Sequence, residues 1–171
     1  RGTNRKETRE AAHASLERLQ PDHIDLYWVH ARDATTPTEE IMRGLDDLVT
    51  QGKVLDVGVS DTPAWQVARA NTMAEFRGWS RFVGLQIRYS LLDRDVEHDL
   101  LPMAQSLDLA VTPWDTLGSG VLTGKYNAGG TGETGRPAVR GRTPGRSPRP
   151  AAAAGAAAQA ARPAPAPVAP P

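Results

Sequence analysis

Four short apolar runs rich in β-branched or aromatic side chains, His23–Val29, Val54–Val59, Phe82–Ile87 and Leu109–Thr112, begin roughly 27 to 31 residues apart. Each interval holds a segment with helical apolar spacing. That is the length of one strand and one helix, and strands joined by such crossovers lie parallel. None of the runs alternates strictly between apolar and polar residues, as expected when both faces of a sheet are covered. The pattern predicts an α/β fold.

Local signals place the helices. Asn4 can cap a helix running through Ala11, Leu16 and Leu19 to Gln20, with Pro21 as its stop. Thr36-Pro37-Thr38-Glu39 offers an oxygen cap, a proline at the first helical position and a glutamate at the third; Ile41, Leu45, Leu48 and Val49 follow, and Gly52 closes the helix. Thr62-Pro63 repeats the device before Trp65, Ala68 and Met73. Asp93 or Asp95 opens a helix carrying Val96, Leu100, Leu101 and Ala104, in which Pro102 sits awkwardly. Two architectures fit, an open doubly wound sheet or part of a (β/α)8 TIM barrel. No Gly-x-Gly-x-x-Gly follows a strand, so the dinucleotide fingerprint of the open sheet is missing.

Composition divides the chain. Residues 128–171 hold 14 Ala, 9 Pro and 7 Gly, with six Arg and one acidic residue. Such a segment has too little apolar side chain to repay ordering, and a disordered C-terminal tail is expected there, after a folded region over 1–127. The formal net charge of zero hides an acidic folded region and a basic tail. Cysteine is absent, which excludes disulfides, thiol catalysis and thiolate metal sites. His13, His23 and His98 have no partner at ligand spacing, so no metal is expected. No apolar run is long enough to span a bilayer and Arg1–Arg9 lacks a secretory apolar stretch, which makes a cytoplasmic protein without membrane contact the expectation. The first residue is not Met, and the chain reads as a fragment.

Polar or aromatic groups stand at the ends of the strand candidates, where parallel α/β folds bind ligands. His30 follows Val29 directly; its imidazole could polarise a carbonyl, or it could simply begin a loop. Ser60 and Asp61 could hold an amide, or serve as ordinary turn residues. Gln86 both donates and accepts, which suits a carboxamide as well as neighbouring backbone. Trp114 could stack on a flat ring or pack. Gly118-Ser119-Gly120-Val121-Leu122-Thr123-Gly124-Lys125 could approach phosphates through backbone N–H groups, although it is not a Walker sequence. The basic tail has no aromatic residue to stack on bases, and no nucleic-acid partner is expected.

Taken in order, Ser15-Leu16-Glu17-Arg18-Leu19, Asp22-His23-Ile24-Asp25-Leu26-Tyr27 with His30, Gly52-Lys53-Val54 leading to Gly58-Val59-Ser60, Gln86-Ile87-Arg88-Tyr89-Ser90-Leu91-Leu92, and Pro113-Trp114 leading to Gly124-Lys125-Tyr126 resemble the aldo-keto reductases. The resemblance runs from about residue 4 to 126. It implies a barrel, of which these strands would be the fourth to seventh, that reduces aldehydes or ketones by hydride transfer from NADPH. By that resemblance His30 is the catalytic histidine. Ser60, Asp61 and Gln86 hold the nicotinamide carboxamide, and Trp114 stacks on the ring. The loop from Asp115 through Leu117, Gly120 and Leu122 to Lys125 lies along the pyrophosphate.

The departures from the pattern also carry information. Asp61 replaces the usual Asn and cannot donate to a carboxamide oxygen. Asp115-Thr116 replaces Ser-Pro and places a carboxylate near phosphates. The family's catalytic Asp, Tyr and Lys would lie before residue 1, which implies an incomplete enzyme that acts on a small carbonyl substrate only when completed. A non-catalytic nucleotide-binding or regulatory subunit of the same fold, or a non-functional truncation product, are the alternatives. The open edges of a partial barrel predict self-association.

Overall fold

The structure, a computed structural model, describes residues 2–31 and 33–124. The expected tail at 128–171 lies outside the described residues, as do Lys125 and the end of the 1–127 region. The described residues form two compact units: those up to Arg88 together with 95–114, and 89–94 together with 115–124.

The first unit alternates helix and strand: α1 (Arg5–Leu19), β1 (Ile24–Val29), α2 (Thr38–Thr50), β2 (Val54–Ser60), α3 (Ala64–Arg77), β3 (Phe82–Arg88), α4 (Leu100–Ser106) and β4 (Ala110–Trp114). The four strands are parallel and stand in the order β1-β2-β3-β4. A monotonic order has no reversal point, so right-handed crossovers deliver every helix to the same face of the sheet. This is how one sector of a barrel is built. An open doubly wound sheet would reverse.

The core lies between that face and the helices. Val57, Val59, Leu85 and Ile87 from the strands meet Met42, Leu45, Leu48, Val67, Ala70 and Ala74, all buried. Asn4 caps α1 as expected, its side chain accepting from the Glu7 N–H at 2.9 Å, and Gln20 closes the helix in the left-handed region.

Three local expectations are corrected. Pro37 and Pro63 occupy the N-cap positions themselves, without a side-chain cap bond. The threonines before them are engaged elsewhere: the Thr36 hydroxyl donates to Asp33 at 2.6 Å, and the Thr62 hydroxyl donates to the Ser60 carbonyl at 3.0 Å. The face that α3 buries is Val67, Ala70, Asn71 and Ala74, whereas Trp65 is 61% exposed. The third correction concerns the last helix. A 3-10 turn at Asp95–Glu97 precedes α4, and Asp99 caps α4. Pro102 then falls in the first turn, where a missing N–H costs nothing, so the proline is compatible with the helix.

Asp33, in the loop between β1 and α2, gathers donors from the threonines that follow it in the loop and from Thr3. Its carboxylate accepts from the hydroxyls of Thr3, Thr35 and Thr36 and from the N–H groups of Thr3 and Thr35. The Thr35 hydroxyl, then that of Thr36, then the Thr3 and Thr35 N–H groups hold it well below the usual carboxylate range. A carboxylate depressed in the folded state stabilises fully above its unfolded pKa of about 4 and loses that contribution as pH falls toward the folded value. Thermal melts should therefore show the Asp33→Asn variant closer to the parent chain at acid pH than at neutral pH. A constant difference across pH would contradict this.

Candidate active site

Register assigns side chains to faces, because neighbours along a strand point to opposite sides. Val29, Val59, Leu85 and Val111 are adjacent across the sheet and belong to the helix-covered side. The residues one step on either side of them form rows on the opposite face. Trp28, Gly58, Gly84 and Ala110 make one row; Ser60, Gln86 and Thr112 make the next; Arg88 pairs with Trp114 beyond it. His30 is the residue after Val29 and is exposed. Four of the residues singled out from sequence, His30, Ser60, Gln86 and Trp114, thus gather at the C-terminal ends of adjacent parallel strands.

Ser60, Gln86 and Trp114 are also linked, with Asp61 between them. Ser60, buried, donates its hydroxyl to Gln86 Oε1 at 3.4 Å, and the Asp61 N–H donates to the Gln86 backbone carbonyl at 3.1 Å. Trp114 Nε1–H donates to Asp61 Oδ1 at 3.0 Å. The Arg88 guanidinium lies 5.7 Å from the centre of the Trp114 ring, within cation–π range. Asp61 adopts a left-handed backbone with φ 44°, a region that Asp tolerates better than most residues. Below this rim Trp28 lies flat against the backbones of Gly58 and Gly84. A Cβ on Gly58 would stand 2.6 Å from the indole, and one on Gly84 2.9 Å. The two glycines make room for the ring.

The second unit contains the loop from Asp115. Its carboxylate accepts from the Ser119 hydroxyl at 3.0 Å and from the Ser119 N–H, so it is turned onto its own loop. The N–H groups of Gly118, Gly120, Leu122 and Gly124 also donate within the segment. Leu117 is exposed, and Gly118–Thr123 forms a kinked 3-10 stretch with Ser119 and Gly120 at positive φ. Most of the backbone donors expected to meet phosphates are therefore engaged internally. Lys125 lies outside the described residues.

Residues 1–163 match the Aldo/keto reductase family. The chain belongs to that family. It is 47% identical over 119 residues to norsolorinic acid reductase stcV of Emericella nidulans, covering 70% of this chain and 31% of that protein. It is 42% identical over 121 residues to aryl-alcohol dehydrogenase [NADP(+)] of Phanerodontia chrysosporium, covering 71% and 31%. The putative aryl-alcohol dehydrogenase AAD10 of Saccharomyces cerevisiae is 42% identical over 124 residues, with 72% and 43% covered. The chain thus spans about a third of the length of most of these relatives. The family fold is a (β/α)8 barrel, and the sequential parallel strands seen here are a four-stranded part of one.

Two residues of this candidate site were missed from sequence, Trp28 and Arg88. Both sit two positions from a residue that was singled out, Trp28 before His30 and Arg88 after Gln86. Gly58 and Gly84 stand likewise two before Ser60 and Gln86. Period-2 spacing around each strand end was the available signal. Tyr27 lies on the other side of the sheet, partly buried, and burial raises its hydroxyl pKa above the ordinary phenol value. It does not belong to the rim. A depression of about 510 Å³ lined by Arg5, Pro37, Glu39, Glu40, Arg43 and Trp79 lies among the helices, away from these residues. Among the described residues no cluster of three or more His, Asp or Glu is placed to hold a metal, and no helix is long and apolar enough to cross a membrane.

Proposed function

We propose that this chain is the nicotinamide-facing part of an NADP-dependent oxidoreductase that interconverts an aryl aldehyde or ketone and its alcohol. The observation that carries this reading is the alignment of His30, Ser60, Gln86 and Trp114 at one end of the sheet. Its substrate class comes from the aryl-alcohol dehydrogenases it resembles. The donor set fits a nicotinamide. Ser60 takes the oxygen of the Gln86 amide, so the Gln86 NH2 is the group available to a carboxamide oxygen. The Trp114 indole, 39% exposed, offers a flat surface for the ring. When bound, the reduced cofactor supplies hydride to a carbonyl carbon. His30 hydrogen-bonds the carbonyl oxygen and orients it. The surface is provided by residues of the first unit, between His30 and Trp114. The protein acts as a cytoplasmic enzyme on small molecules.

The test is titration of the chain with NADPH, followed by tryptophan fluorescence, and NADPH consumption with aromatic aldehydes once the residues preceding the first helix are supplied from a relative. Trp114→Ala should weaken binding by about tenfold, the worth of one aromatic stacking contact. His30→Ala should leave binding intact and lower turnover in the completed enzyme by about a hundredfold or more. Failure of both the chain and the completed protein to bind NADPH would refute the reading.

A further inference from the structure

The Asp61 carboxylate has a partner that the family resemblance does not assign to it. It accepts the Trp114 indole N–H at 3.0 Å, and the two residues come from different strand ends, 53 positions apart in the chain. That bond fixes the rotation of the indole about its side-chain torsions, because only one edge of the ring carries a donor. It also leaves a negative charge at the edge of the surface on which a nicotinamide would stack. Arg88 lies over the same ring and supplies the opposing charge.

We propose that Asp61 is a positioning residue for Trp114, and that its charge raises the affinity of this rim for the oxidised, cationic nicotinamide relative to the neutral reduced one. The inference rests on the nicotinamide reading of the site. The amide role suggested by the resemblance passes to Ser60 and Gln86, which face the same side one row below. The oxidised ring carries a positive charge that the reduced ring lacks, so a carboxylate beside the stacking surface discriminates between them and an amide does not. In a water-like medium two unit charges about 7 Å apart interact by about RT, so a shift of about threefold in affinity is the size expected for one charge. Removing it while Arg88 stays in place moves the ratio toward the reduced form.

Asp61→Asn and Asp61→Ala separate the two parts. Asparagine keeps an oxygen that can accept the indole N–H but loses the charge; alanine loses both. In the full chain without cofactor, the Trp114 indole N–H resonance, identified by its loss in Trp114→Phe, should stay near its parental shift in Asp61→Asn and move to the solvent-exposed position in Asp61→Ala. An unchanged resonance in Asp61→Ala overturns the positioning claim. Titration with NADP+ and with NADPH should then show the affinity ratio falling about threefold in Asp61→Asn. An unchanged ratio with both forms still bound overturns the charge claim and leaves the nicotinamide reading intact. Binding of neither form to the parent chain overturns the charge claim together with that reading, and the resonance experiment still decides the positioning claim.

Discussion

Replacing Asn71 with leucine should destabilise the folded unit by about 2–5 kcal/mol, measured by denaturant unfolding, although the two side chains are similar in size. Asn71 is buried on α3 and forms a two-point clamp on the start of β3. Its Nδ2 donates to the Phe82 carbonyl at 3.0 Å and its Oδ1 accepts from the Phe82 N–H at 2.9 Å. Leucine would leave a buried N–H and a buried carbonyl without partners, each costing about 1–3 kcal/mol. The clamp also sets register. Val57 is adjacent to Phe82, but Gly58 is adjacent to Gly84, so Val83 is an extra residue in β3 at that point. Phe82 packs with the helix-side core, and after the irregularity Gly84, Gln86 and Arg88 point to the other face. A slip of one residue would turn Gln86 into the core. Asn71→Leu is therefore expected to weaken cofactor binding beyond what stability alone explains, with the loss detectable under conditions where the variant is still folded.

Asn71 also shows where sequence reading reached its limit. The buried stripe of α3 contains this polar residue, so an apolar count along the helix shifts one position to Trp65, Ala68 and Met73, which point away from the core centre. A polar side chain that satisfies backbone groups of another element leaves no local mark. The same is true of the caps. Asn4 was legible because the N–H it accepts from, that of Glu7, is three residues away within one turn. Thr36 and Thr62 were not, because their hydroxyls had competing acceptors in Asp33 and in the Ser60 carbonyl. The strands were legible to within one or two residues, since the alternation of apolar runs with helices depends on burial alone. Pro113 was read as lying past its strand but belongs to β4, which is permitted because β4 stands at the edge of the sheet within the described residues. For the candidate site, the residue types at the strand ends were visible. The bond from Trp114 to Asp61 was not, since it joins elements that only the fold brings together.

Gly58→Ala is expected to cost about 1–3 kcal/mol, and most of that cost should disappear when Trp28 is removed. The added Cβ would meet two indole carbons at 2.6 Å, closer than any real contact, and the obstacle is a rigid ring backed by Gly84 rather than the end of a flexible chain. Trp28 must therefore lift from the sheet. A double-mutant cycle of Gly58→Ala with Trp28→Ala isolates this contact: the glycine substitution should be costly with the indole present and nearly neutral with it absent, giving a coupling of about 1–2 kcal/mol. Additive effects would show that Gly58 is needed for some reason other than the approach of the ring. The functional consequence follows from the rows of the sheet. Trp28 occupies the row directly beneath Ser60 and Gln86, so a lifted indole moves into the space that a bound ring would use. Gly58→Ala should then lower NADPH affinity without touching any residue of the polar rim, and the loss should be partly restored in the double variant, where that space is open again.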